Sequence, residues 1–272
     1  MKNRSIIRAL FLRKRAGKTP LHLHVYQIKS IGGYNDIIIN RFLLHSANRT
    51  RSLDISLNTP LHELLLVSLT CIGIGCTSGS LKCWTLRNKD ILRPLVVDTR
   101  PWSPQDEASL NYIEDPCLPP LTALNLKGAF IEWNSVAYRG LLELRIEHLS
   151  GTMCPTIAQL AMVLEASPRL RILRLADITI RDGEPHPTLV RLEDLQELDL
   201  GKISTADLCA LLDIIRPGRK DLNVSMRLND RPPTIQVFFN ALTSLDCSSM
   251  ATLVDTIFLT CFVFPPTCIS WY

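Results

Sequence analysis

The sequence lacks the long apolar segments by which membrane and secreted proteins are recognised. Its longest apolar runs, residues 64–75 and 253–264, are well short of the roughly 20 residues needed to cross a bilayer. The basic start contains only a short apolar patch, which Arg8 divides, so we expect no secretory signal peptide. The alternative is an amphipathic mitochondrial presequence, because Asp36 is the first acidic residue. We expect no membrane partner and a cytoplasmic or nuclear location.

Paired cysteines are also missing. The nine cysteines are an odd number and include no C-x-x-C pair, the spacing with which most zinc sites and redox motifs begin. His22 and His24 alternate on one segment and are predicted to share an exposed strand face, but no further ligand lies nearby at a suitable spacing. We therefore expect reduced, buried cysteines, no metal and no cofactor.

The motifs of nucleotide-binding and hydrolytic enzymes are incomplete. Gly17-Lys18-Thr19 is similar to the end of a P-loop, but position 12 holds Leu12 where a glycine is required, and Pro20 disfavours the helix that must follow. The glycines at 73, 75 and 79 miss the spacing of a dinucleotide fingerprint by one residue. The sequence has no G-x-S-x-G or H-E-x-x-H motif. We expect the protein not to be an enzyme.

Acidic residues are scarce in the first 60 positions, where 11 Lys and Arg stand against Asp36 and Asp54. A basic segment of this kind can bind nucleic acid or another polyanion. Aromatic residues, on which bases stack, make up only 6 % of the chain, so we interpret the segment as a solvated basic face. A scaffold that binds an anionic ligand or nucleic acid here is kept as the alternative function.

What the sequence does have is a repeated frame, L-x-x-L-x-L, in which a short strand buries alternate side chains. The frames begin at positions 121, 141, 170, 195, 219 and 242, at intervals of 20 to 29 residues. Their apolar positions are Leu121, Leu124, Leu126, Leu141, Leu144, Ile146, Leu170, Leu173, Leu175, Leu195, Leu198, Leu200, Leu222, Val224, Leu242, Leu245 and Cys247. Looser frames in front of them hold Leu53, Ile55, Leu81, Trp84 and Leu86.

Helical patterns lie between the frames. The first, residues 156–166, ends before Pro168, and the second runs from the N-cap candidate Ser204 to a stop at Pro217-Gly218. The side chains predicted to be buried are Ile157, Leu160, Met162, Val163 and Leu164 in the first and Leu208, Leu211, Leu212 and Ile215 in the second. This order of strand, turn and helix predicts an α/β leucine-rich-repeat solenoid with a curved parallel sheet and helices on the outer face.

One repeat position departs from the common pattern. The site after the strand, which usually holds asparagine in leucine-rich repeats, holds Ala129, Leu149, Ile178 and Ile203. An apolar residue at this position cannot contribute to an asparagine ladder. We expect the successive turns to be held together by packing.

The segments "ALFLRKRAGKTPLHLHV", "LTALNLKGAFIEW", "MCPTIAQLAMVLEASPRLRILRLADI" and "LEDLQELDLGKIS" carry a resemblance to a known family. Through them the chain resembles the F-box-like leucine-rich-repeat proteins of mushroom-forming fungi. In that family a helix with a basic tail follows the F-box, and a "TPLxLHV" strand begins the repeats. The resemblance implies that Gly17-Lys18-Thr19 is a helix-to-strand turn. Nothing before Ser5 could supply the F-box itself, so we expect either that the module is absent from this chain or that Met1 is an internal start in a longer one.

The resemblance and the frames together divide the chain into four parts. Residues 1–20 form an N-terminal helix that follows the missing F-box. Residues 21–116 are expected to form irregular leucine-rich repeats, and residues 117–250 regular ones. Residues 251–272 are an apolar C-terminal tail that does not continue the repeat pattern.

The resemblance implies a non-catalytic protein-interaction domain, the substrate-recognition part of an F-box-type ubiquitin ligase adaptor. Its target protein would bind the concave sheet face, and ubiquitin-ligase subunits would bind only if an F-box were supplied. A truncated product without activity is a further alternative. Because the frame turns its leucines inward, the residues between them face outward. The predicted partner-binding residues are Asn125, Lys127, Glu143, Arg145, Glu147, Arg174, Glu197 and Asp199.

Overall fold

The computed structural model of the 272-residue chain describes residues 17–26, 42–43, 45–57, 80–88, 95–97, 121–183, 189–218 and 222–229. The strands are β1 (Leu21–Tyr26), β2 (Thr50–Leu57), β3 (Cys83–Asn88), β4 (Leu95–Val97), β5 (Ala123–Lys127), β6 (Ala129–Ile131), β7 (Glu143–Glu147), β8 (Ile172–Ala176), β9 (Val190–Leu192), β10 (Glu197–Ile203), β11 (Ile215–Pro217) and β12 (Asn223–Leu228). The helices α1 (Ile157–Glu165) and α2 (Thr205–Ile214) follow β7 and β10. Short 3-10 helices span Ala47–Arg49, Val136–Tyr138 and Gly151–Met153.

Eight strands form one large sheet in the order β1-β2-β3-β5-β7-β8-β10-β12. Every neighbouring pair in this sheet is parallel. Two smaller parallel pairs, β4 with β6 and β9 with β11, use strands of three residues each. The prediction of an α/β protein with a parallel sheet is confirmed.

The register of the large sheet aligns the leucines of the frames in continuous rows. Leu124 is paired with Leu144, which is paired with Leu173 and through it with Leu198. A second row joins Leu126, Ile146, Leu175 and Leu200 in the same way. All eight side chains are at most 1 % exposed, so these two rows form the apolar core of the sheet. Burial of alternate residues is what the frame predicts for a strand with one covered face.

The first predicted helix is present with one wrong assignment. Thr156 is the N-cap of α1, and its side chain and that of Gln159 form a reciprocal capping box. Leu160, Val163 and Leu164 are buried as predicted, and Ile157 is partly buried against the core. Ala161, which the prediction left out, is buried as well. Met162 is 46 % exposed and does not face the core, which contradicts the prediction. It lies one position from both Ala161 and Val163, on the far side of the helix.

The second predicted helix is shorter than expected. Ser204 is its N-cap and accepts a hydrogen bond from the Asp207 N–H, as the sequence indicated. The helix ends at Ile214, three residues before Pro217, because Ile215–Pro217 forms β11 and pairs with β9. Ile215 is therefore buried as a strand residue, and the Pro217-Gly218 stop is not what ends the helix.

A residue in the left-handed backbone conformation lies at the carboxyl end of each of the strands β5, β7, β8 and β10. Gly128, His148, Asp177 and Lys202 have φ angles of 53 to 58°. The N–H groups of the first three donate to the carbonyls of Glu147, Ala176 and Gly201, each on the next strand of the sheet. These backbone hydrogen bonds link each of the three turns to the next strand of the sheet. The residues that follow, Ala129, Leu149, Ile178 and Ile203, are all buried, as predicted.

Parts of the sequence predictions lie outside the described residues: the helix before position 17, the glycines at 73, 75 and 79, the frame at 242 and the tail 251–272. Gly17 and Lys18 form a turn, with Gly17 at φ 55°, and β1 begins at Leu21. The strand side of the predicted helix-to-strand turn is therefore present. In the portion of the chain that the structure describes, no helix is long and apolar enough to cross a membrane.

Candidate functional site

One face of the large sheet is polar and is left open by the described helices. The buried side chains of α1 and α2 belong to the same core as the inward rows of leucines, so these helices lie on the inward side of the sheet. We call the other side the open face. On β5, β7 and β8 its strand residues alternate with the buried ones and are half-buried. The eight predicted partner-binding residues all lie on it: Asn125, Lys127, Glu143, Arg145, Glu147, Arg174, Glu197 and Asp199.

Strand register joins four of these residues in one chain of ion pairs. Lys127 on β5 lies 3.2 Å from Glu147 on β7, measured from Nζ to Oε2. The other oxygen of Glu147 lies 2.9 Å from the Nε of Arg174 on β8, and that same Nε lies 3.4 Å from Oδ2 of Asp199 on β10. Because the pairs cross three strand boundaries, they connect β5, β7, β8 and β10 over the open face. Exposed pairs of this kind contribute little individually to stability.

Arg145 is placed beside Arg174, although both side chains are cationic. The two residues are paired in the register of β7 and β8, and Arg145 has Glu143 on its own strand as counter-charge, with 2.6 Å between Nε and Oε1. The Nε atoms of both arginines are buried, but their N–H groups are not aligned with the neighbouring carboxylate oxygens. The contacts are therefore ion pairs without hydrogen bonds, and two donors are left unsatisfied.

A second charged cluster on the open face was missed by sequence reasoning. Asp54 on β2 is 8 % exposed, and its Oδ2 lies 3.3 Å from both the His24 Nδ1 on β1 and the Arg87 Nη2 on β3. Its Oδ1 is buried and has no hydrogen-bond partner. The cluster was not predicted because the repeated frame is irregular in this part of the sequence. The alternation of polar and apolar residues in "LHLHV", "SLDIS" and "CWTLR" was the pattern that could have revealed it.

A histidine–carboxylate pair lies at the carboxyl end of the central strands. The Nδ1 of His148 is 2.6 Å from Oδ2 of Asp177, and the two residues occupy equivalent left-handed positions after β7 and β8. A metal would require further ligands. Within the described part of the chain, His, Cys, Asp and Glu side chains do not form a group of three that could hold a metal ion.

Two of the described cysteine thiols, Cys154 and Cys209, are poor nucleophiles at neutral pH. Burial raises the pKa of Cys154 and of Cys209 above the ordinary thiol value, and the charge of Asp213 adds to the rise at Cys209. A raised pKa keeps the sulfur protonated at neutral pH, and the thiol is a poor nucleophile and metal ligand in that form. Cys154 is buried in the core, and Cys209 is partly buried against it.

The described residues thus define an α/β protein whose parallel sheet presents a mixed-charge open face. The comparisons with known proteins add no family to this description: no family model, no curated protein and no solved structure matches the chain.

Proposed function

We propose that the chain is a leucine-rich-repeat solenoid that binds another protein on its open face, as the substrate-recognition part of an F-box-type ubiquitin ligase adaptor. The observation that supports this best is the continuous band of charged residues on a sheet face that the described helices leave uncovered. A polar face of this extent has no role in core packing. It is suited to recognition of a protein surface with a complementary pattern.

The mixture of charges favours a protein over a polyanion. The predicted residues contain three cations, Lys127, Arg145 and Arg174, and each of them lies within an ion pair. A nucleic acid presents many phosphates, and Glu143, Glu147 and Asp199 beside these cations would repel such a polyanion. A protein partner can supply charges of both signs in register with the face.

Site-specific cross-linking tests the proposed face. A photo-reactive amino acid replaces Asn125 at the centre of the open face, and a matched variant carries it at Met162, which is exposed on α1 on the inward side of the sheet. After irradiation in an extract of the source cells, we expect a discrete cross-linked protein from position 125 and none of that species from position 162. The same product from both positions, or none from position 125, would contradict the proposal.

The ligase role is tested separately by supplying the module that the proposal requires. The chain alone and the chain fused behind an F-box are captured from the same extract, and bound proteins are identified by mass spectrometry. We expect both forms to retain the partner that cross-links at Asn125, and only the fusion to retain ubiquitin-ligase subunits. Retention of the partner with no gain of ligase subunits by the fusion would remove the adaptor role and leave the binding face intact.

A further inference from the structure

Among the described residues of the open face, three buried side-chain polar atoms lack hydrogen-bond partners, and all three belong to one row of residues across the strands. They are Oδ1 of Asp54 on β2, Nε of Arg145 on β7 and Nε of Arg174 on β8. The register runs from Asp54 through Thr85 and Asn125 to Arg145 and then Arg174. We call these five residues the central row. Within it, the uncharged Thr85 and Asn125 separate the acidic Asp54 from the two arginines. The same register continues beyond the central row to His24 on β1 and to Asp199 on β10.

Unsatisfied atoms of this kind are the groups that gain most from a partner. Buried polar atoms in folded proteins are nearly always hydrogen-bonded, and each exception is costly to the folded state. Asp54 contacts His24 and Arg87, whose side chains are 56 % and 43 % exposed, each at 3.3 Å. Glu143 contacts Arg145 without an aligned hydrogen bond. Exposed ion-pair partners of this kind can be exchanged for the charged groups of a bound chain.

The register fixes the spacing of the two ends. Neighbouring strands are separated by about 4.8 Å, so Asp54 lies roughly 14 Å from Arg145 and roughly 19 Å from Arg174 along the sheet. An extended peptide advances by about 3.4 Å per residue. The two ends are consequently matched by side chains roughly four to six residues apart on a chain that crosses the strands.

We propose that the central row binds an extended segment of the partner protein, with a basic side chain received by Asp54 and a carboxylate received jointly by Arg145 and Arg174. This inference rests on the proposed binding function of the open face. Thr85 and Asn125 contact the uncharged stretch between the two. The acidic group is a carboxylate, not a phosphate, because Glu143, Glu147 and Asp199 surround the arginines and repel a dianion more strongly.

Selection from a random peptide library tests the inference without knowledge of the natural partner. A phage-displayed library of peptides long enough to span the central row is selected on the immobilised full chain. Two variants are used in parallel, Asp54→Asn and the double substitution Arg145→Gln with Arg174→Gln. Thermal melting of each protein shows that the variants are folded.

We expect the native chain to enrich peptides with one basic and one acidic residue four to six positions apart. Asp54→Asn should lose the preference for the basic residue only, and the double arginine variant the preference for the acidic residue only. Enrichment without this spacing, an identical motif from all three proteins, or no enrichment over the double variant would overturn the inference. If the Asn125 cross-link persists in any of these cases, the binding face stands and only the partner chemistry is wrong.

Discussion

Tyr138 shows how a single side chain holds the segment between β6 and β7. Its ring stacks on Trp133 with 5.7 Å between the ring centroids, and its hydroxyl donates to the Ile131 carbonyl at 3.0 Å. Ser167 accepts a hydrogen bond from the Leu141 N–H and donates one to the Tyr138 carbonyl, which joins this segment to the residues after α1. The Tyr138 side chain is thus both buried and hydrogen-bonded through its hydroxyl.

Burial raises the pKa of Tyr138 far above the ordinary value of a tyrosine. The unfolded chain releases the phenolic proton near pH 10, as model tyrosines do. The contribution of Tyr138 is therefore complete below pH 10, and above it stability falls by about 1.4 kcal/mol per pH unit from this group.

We predict that Tyr138→Phe reduces the decrease in the free energy of unfolding that the native chain shows above pH 10. At neutral pH the substitution removes the hydrogen bond and costs about 1 kcal/mol. Urea unfolding of both proteins at pH 8 and at values above 10 measures the difference, and the gap between them should narrow as pH rises. A gap that is constant with pH would show that Tyr138 ionises normally in the folded chain.

Lys202 occupies a backbone conformation that suits glycine. Its φ angle is 53°, at the irregularity where β10 pairs with β12, and its side chain is exposed. A left-handed conformation costs an L-residue roughly 1–2 kcal/mol, more than the entropy that glycine loses on folding. We predict that Lys202→Gly stabilises the fold by about 0.5–1 kcal/mol. Arg191→Gly, in the exposed position of β9, is the control and should destabilise the fold by a similar amount. Chemical denaturation measures the free energy of unfolding of both variants. A Lys202→Gly protein that is no more stable than the native chain would contradict the left-handed conformation of Lys202.

At the scale of elements, the register of β7 and β8 determines how the two neighbouring arginines tolerate substitution. Replacing both Arg145 and Arg174 with glutamate would place new carboxylates among Glu143, Glu147 and Asp199. Like charges opposite each other in a sheet are destabilising by roughly 0.2–1 kcal/mol per pair.

We therefore predict a lower melting temperature for the double glutamate variant, with partial recovery at high salt because the repulsion is screened. The double glutamine variant removes charge without adding repulsion and should melt close to the native chain. Thermal unfolding at low and at high salt compares the three proteins. Equal melting of all three would mean that the arginines are not in contact with these carboxylates in solution.

The long elements could be predicted from sequence, and the site only in part. A frame such as Leu141-Leu144-Ile146 specifies a strand with one buried face because burial alternates with period two. The three-residue strands, such as β4 and β11, are too short to show any period. The left-handed conformations of His148 and Asp177 could not be predicted, because neither residue type indicates a positive φ as strongly as glycine does. The sequence predicted that the side chain of Arg145 faces outward. It could not predict which side chains lie beside Arg145, because those depend on the strand register.

At the scale of the whole molecule, the described core is continuous, but contacts are made chiefly between sheet neighbours. The main contacts of β7 are with β5 and β8, and those of β10 are with β8 and β12. If the fold is the proposed solenoid, its stability is approximately a sum of local and nearest-neighbour contributions. A defect in one strand should then be felt mostly by the strands beside it.

Leu144→Ala provides the test, because Leu144 is completely buried in the middle of the sheet. We predict a loss of about 2–5 kcal/mol, from the removed methyl groups and the cavity they leave. Hydrogen exchange followed by mass spectrometry should show the largest loss of protection in β5, β7 and β8, and a smaller one in β1 and β12. Val224→Ala in β12 is the matched control and should shift the pattern toward β10 and β12. Equal loss across all eight strands in both variants would instead identify one cooperative unit and contradict the solenoid.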